Sequence, residues 1–181
     1  MNKATLAGGC FWCTESAFRR LDGVHAAVSG YIGGHTPDPS YRAVCDGTTG
    51  HAEAVEITYD PATLSYRDLL AVFFAIHDPT TPNRQGYDVG TQYRSAIFYH
   101  DDAQQQEAAA FIAELERQRV FDAPIVTELV AADTFYPAEG YHQEYYDQNR
   151  EAPYCQAIIA PKLAKLQHLF PALLRRSTPD V

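Results

Sequence analysis

Gly8-Gly9-Cys10-Phe11-Trp12-Cys13-Thr14-Glu15 stands where a short apolar run, Ala4 to Ala7, gives way to a helical pattern. Glycines accept backbone angles that other residues resist, so a strand can turn here directly into a helix. The turn puts Cys10 at or near the helix N-terminus, where the partial positive charge of the backbone favours thiolate over thiol. Phe11 and Trp12 flank it with apolar surface. A cysteine is ordinarily inert packing. The coincidence of glycine turn, helix start and aromatic pair marks Cys10 instead as a redox nucleophile.

Outward from that stretch, Trp12, Ala17, Phe18 and Leu21 recur at helical spacing, and Asp22-Gly23 closes the helix. Val24 to Tyr31 reads as a strand and Gly33 to Ser40 as a loop. In Ala54 to Tyr59, Val55, Ile57 and Tyr59 share one face of a strand. Ser65 to His77 is a helix with a thick apolar face. A long polar loop, Asp78 to Gln92, has the length expected of a functional segment. A strand from Arg94 to His100 and an amphipathic helix capped by Asp101 or Asp102 follow, the helix running to about Arg119. Pro124 to Ala131 reads as a strand. Beyond it the chain is irregular, with a short helical piece near Tyr141 to Gln148 and a last helix within Ile158 to Leu174 that begins near Pro161. This order predicts an α+β fold: a two-layer split β-α-β core with a mostly antiparallel sheet, extra helices and an irregular C-terminal tail.

The 181 residues fit one domain, 1–181. Hydrophobic residues make up 46%, enough for a core without metal or disulfide staples. A net charge of −9 argues against nucleic acid as a partner, since phosphate binding needs clustered Lys and Arg. The longest apolar run, Leu69 to Ile76, is far short of the roughly 20 residues that span a membrane. No apolar leader precedes the first strand, so the cytoplasm is the expected location. There, four cysteines are expected to be reduced, catalytic or metal-binding rather than disulfide-bonded.

Cys10 and Cys13 form a C-x-x-C pair, which serves either as a redox dithiol or as half of a zinc site. Zinc needs about four ligands, and no second pair is present; no metal is expected. In Thr49-Gly50-His51-Ala52-Glu53, a glycine turn delivers His51 and Glu53 to the start of a strand, where residues two apart share a face. A carboxyl walled there by aromatics would have its charged form destabilised and become a proton donor near neutrality. Gly86 to Ser95 carries Asp88 and Tyr93 into the same region. These features alone also suit a general thiol–disulfide oxidoreductase, or a peptide-binding module built on the aromatic surface around Tyr145 and Tyr146.

Several stretches together resemble the A class of peptide methionine sulfoxide reductases. They are Gly9-Cys10-Phe11-Trp12, Pro39-Ser40-Tyr41, Thr49 to Val55, His77 to Thr81, Asp88 to Ile97, Phe135 to Glu139, Tyr141-His142-Gln143 and Pro153-Tyr154-Cys155-Gln156. The resemblance covers nearly the whole chain in order and implies a ferredoxin-like core. It implies that Cys10 attacks the sulfur of methionine sulfoxide, S epimer, and that Glu53 protonates the oxygen. Tyr41 and Tyr93 would hydrogen-bond that oxygen, Phe11 and Trp12 would hold the substrate methyl, and Asp88 would orient the network. The sulfenic acid left on Cys10 would be resolved by Cys155, brought up on a mobile tail, or by Cys13, where many family members have glycine. Cys45 reads as a buried structural thiol. No cofactor is implied, thioredoxin or a similar dithiol donor would recycle the enzyme, and a monomer is expected.

Overall fold

The computed structural model describes residues 1–175. The elements are β1 (Asn2–Gly8), α1 (Phe11–Arg19), β2 (Val24–Ile32), α2 (Tyr41–Cys45), β3 (Ala52–Tyr59), α3 (Tyr66–Ile76), β4 (Arg84–Gln85), β5 (Asp88–Val89), β6 (Ser95–Tyr99), α4 (Asp102–Arg117), β7 (Glu128–Ala131), β8 (Tyr136–Pro137), α5 (Tyr145–Gln148) and α6 (Ala160–Leu169). The main sheet has six strands in the order β7-β6-β1-β3-β2-β8, and β4-β5 is a separate hairpin. All its pairings are antiparallel except β6 with β7, which α4 connects as a parallel crossover. The inner four strands with α1 and α3 are the split β-α-β core expected from the element order.

Local chemistry accounts for the boundaries. Ser65 and Asp68 exchange side-chain and backbone hydrogen bonds at 3.0 and 3.2 Å, a capping box that starts α3. Asp101 accepts from the Gln104 amide at the start of α4. Along β3 the odd positions Val55, Ile57 and Tyr59 join Phe18, Leu21, Leu69, Leu70 and Phe73 in the main core beneath the helices. The even positions Ala52 and Ala54 pack with Ala7, Ile32, Ala96 and Phe98 on the opposite face. Alternation along the strand thus delivers Glu53 to the same face as Val55, toward α1.

Three departures from the sequence-based expectations have physical reasons. Helix α1 ends at Arg19, because Leu21 leaves it to bridge Leu174. The 33–40 loop leads into α2, an element not expected from sequence, started by Ser40 Oγ accepting from the Ala43 amide and too short for periodicity to reveal. Cys155 does not ride a loose tail: Cys155–Ile159 form a π-helical turn that runs into α6, and Cys155 is fully buried.

The β1–α1 turn depends on Gly9. Its φ is +94°, and a Cβ there would lie 2.6 Å from Gln85 Cγ. Gln85 cannot easily yield, because its amide bonds both the Asp78 N–H, at 3.0 Å, and the Asp78 carbonyl, at 2.9 Å. Gly9→Ala should therefore cost about 1–3 kcal/mol in chemical denaturation and lower activity by displacing Cys10. Unchanged stability and activity would contradict the strain.

Candidate active site

Cys10 is the N-cap of α1, and its carbonyl accepts from the Cys13 amide at 3.1 Å. Its side chain is 9% exposed, Cys13 is 4% exposed, and both pack with Cys155 and Ile159, bordered by Trp12, Tyr93, Tyr145 and Tyr154. The helix-end position agrees with the sequence, but the thiolate preference read from it does not hold for the resting protein. Burial, the hydrogen bond it donates to Cys13 and the nearby Glu53 charge push the Cys10 thiol well above the usual range, outweighing the Trp12 amide. In Cys13 the hydrogen bond with Cys10 wins over burial, and its thiol is lowered to about 7. The Lys162 ammonium adds to that lowering, while the Asp88 charge opposes it.

Glu53 reaches this pair from β3. Its Oε1 accepts from the Phe11 amide at 3.2 Å, which fixes the carboxyl beside Cys10. Its Oε2 is buried with no hydrogen-bond partner among the described residues. Burial raises its pKa to about 8, with the Asp88 and Cys13 charges adding to the rise, so the group is a neutral acid at pH 7. The Tyr41 and Tyr93 hydroxyls feel the Glu53 charge, and burial pushes both phenols up, so both remain donors. His51 does not join Glu53. Its ring takes the Gly34 amide at 2.9 Å and bonds the Thr36 carbonyl at 2.7 Å, bracing the loop before α2.

Trp12 is held on three sides. Its indole N–H donates to His142 Nδ1 at 3.1 Å, Tyr145 stacks on it at 3.7 Å and 9°, and Tyr154 meets it edge-on at 5.8 Å. The turn that brings these aromatics in is pinned by Glu15 of α1. This buried carboxyl accepts from the Glu144 amide at 2.8 Å and from Ser29 Oγ at 3.1 Å. Tyr154 donates to Asp88 Oδ2 at 2.8 Å and lies 3.7 Å from Cys13 Sγ. His142 and Tyr154 lie in family-like stretches and Tyr145 in the aromatic surface read from sequence, but none of the three was given a role in this site. Cys45 is exposed at the end of α2, not buried as read from sequence; it lies one helical turn from Tyr41.

Residues 2–172 match the family model described as peptide methionine sulfoxide reductase. The chain belongs to the A class of that family. Among its relatives, the peptide methionine sulfoxide reductase MsrA of Chromobacterium violaceum is 59% identical over 175 residues, 97% of this chain and 99% of that protein. Reduced Mxr1 of Saccharomyces cerevisiae superposes with a TM-score of 0.79 at 40% identity, covering 85% of this chain and 88% of its own. Mxr1 in complex with Trx2 superposes at 0.56 with 29% identity, over 80% of this chain and 84% of that one. The reductase fold thus carries here a C-x-x-C pair beside the neutral acid.

A buried carboxyl with a raised folded-state pKa holds its proton more tightly in the folded chain than in the unfolded one. The stability this supplies is full below pH 4.5, the ordinary value, and is lost as pH rises toward about 8. Glu53→Gln removes that loss. The Tm of the variant relative to the parent should therefore rise steadily between pH 5 and pH 8; a constant difference would mean that Glu53 is already ionised at pH 5.

Proposed function

We propose that the protein reduces the S epimer of methionine sulfoxide, free or within proteins, to methionine, and so repairs oxidised proteins. Cysteine sulfur supplies the electrons, and a thioredoxin-type dithiol restores it. The single observation that carries the reading is Glu53: one carboxyl oxygen tied to the Phe11 amide, the other buried and unspent beside the Cys10 thiol. Cys10 sulfur supplies the electron pair, the sulfoxide S–O bond breaks, and the oxygen passes to Cys10 as a sulfenic acid. Glu53 protonates that oxygen and regains the proton given up by the Cys10 thiol. Tyr41 and Tyr93 stabilise the developing charge. Phe11 and Trp12 hold the methyl, with the indole set by His142 and Tyr145. Asp88 anchors the network through Tyr154.

The disposition of the thiols favours Cys13 as the first to condense with the sulfenic acid, releasing water and leaving a Cys10–Cys13 disulfide. The Cys10 and Cys13 thiols are directly coupled, whereas Cys155 packs against them from the turn before α6. Cys155 then attacks Cys13, freeing Cys10, and the Cys13–Cys155 disulfide passes to thioredoxin by exchange. The whole chain acts as a single catalytic domain and as a monomer, in the cytoplasm, where dithiol donors are kept reduced.

Cys10→Ser should abolish sulfoxide reduction. Glu53→Gln should slow methionine release in a single turnover by at least ~10²-fold and erase the fall in rate above about pH 8; an unchanged rate would assign the proton elsewhere. Cys155→Ser should release one methionine per chain and stop at a Cys10–Cys13 disulfide in a peptide map. A Cys10–Cys155 disulfide formed directly in a Cys13→Ser chain at the parent rate would reverse the order of the thiols.

A further inference from the structure

We infer that Tyr154 and Asp88 form a proton exit for Cys13, serving the condensation that closes the Cys10–Cys13 disulfide. The inference rests on the proposal that Cys13 is the resolving thiol. The Tyr154 O–H points at Asp88 Oδ2, 2.8 Å away. Its hydrogen is therefore committed to the carboxylate, and its oxygen lone pairs face the Cys13 sulfur at 3.7 Å. Cys13 is buried, while Asp88 is half-buried on the β4–β5 hairpin. A proton leaving Cys13 thus has a hydrogen-bonded path of two groups from the buried thiol pair toward solvent.

Cys13 passes its proton to the Tyr154 oxygen as Tyr154 passes its own to Asp88. The Cys13 sulfur then forms the S–S bond to Cys10, and the Cys10 S–O bond breaks. The departing hydroxide takes a proton from Glu53 and leaves as water. Asp88 discharges its proton to solvent, and Glu53 regains one.

The groups facing Cys13 pull in different directions. Lys162 from α6 and the Cys10 thiol favour its thiolate; the charge on Asp88 disfavours it. Charges on Glu53 and Cys155 would also disfavour it, being raised by Cys13 in return. Asp88 therefore has opposite effects at equilibrium and in rate. Neutralising it should leave Cys13 no harder to ionise, yet remove the acceptor its proton needs. A purely electrostatic or packing role cannot give that combination.

The test uses the Cys155→Ser chain, where Cys10–Cys13 is the terminal disulfide, with Tyr154→Phe or Asp88→Asn added. One equivalent of methionine sulfoxide starts a single turnover. Rapid quenching with dimedone follows the decay of the Cys10 sulfenic acid, and peptide-resolved alkylation reports Cys13 ionisation. Both additions should slow that decay at least tenfold at pH 6. The deficit should vanish above pH 8, where Cys13 ionises unaided, and Asp88→Asn should not raise the pH at which Cys13 alkylates. Decay at the parent rate at pH 6, or a slowing equal at every pH, would overturn the exit path. If the Cys155→Ser parent forms no Cys10–Cys13 disulfide, the resolving role of Cys13 fails first and the exit path falls with it.

Discussion

The hydrogen bond from the Phe11 amide to Glu53 joins the two halves of the site. It spends the first N–H of α1 on a side chain from the middle of the sheet, so the helix that presents Cys10 and the strand that presents the acid cannot drift apart. The bond also sets the chemistry. One N–H is too little to offset burial, so the carboxyl stays protonated to about pH 8. A second donor on Oε2 would stabilise the charged form and spoil the acid. Oε2, which no described residue engages, is left to face the substrate oxygen.

Charge in this cavity is rationed. Glu53 and Cys10 each raise the cost of ionising the other or its neighbour, and the resting state keeps protons on both. The charge that the site does tolerate is placed on Cys13, one turn into the helix, where Lys162 and the hydrogen bond from Cys10 receive it. A glycine at 13 would remove that outlet. Glu15, a second buried carboxyl on the same helix, has a different task. It satisfies the Glu144 backbone and so keeps His142 and Tyr145 against the Trp12 indole.

Much of the fold was legible because the core elements carry strong periodicity. Val55, Ile57 and Tyr59 alternate, and Leu69, Leu70 and Phe73 form a helical stripe; each set buries its apolar face where the pattern says. The short pieces escaped notice for the opposite reason. The strands β4, β5 and β8 have two residues each, and α2 has five, below any period. Cys10 and Glu53 were readable because a glycine turn and a strand start fix where such residues can point. His142, Tyr145 and Tyr154 were not, because their positions come from side-chain bonds made across more than a hundred residues. The thiolate preference expected of Cys10 failed because a helix end is a local term, while burial and the Glu53 charge are tertiary.

The protonation state of Glu53 is most directly read by carbon NMR of the reduced protein labelled at glutamate side-chain carboxyls, with Glu53→Gln assigning the signal. A carboxyl that remains neutral at pH 7 and titrates near pH 8 is the expected result. A Glu53 signal already in its carboxylate position at pH 6 would contradict the account of the site as a neutral acid set against a protonated thiol.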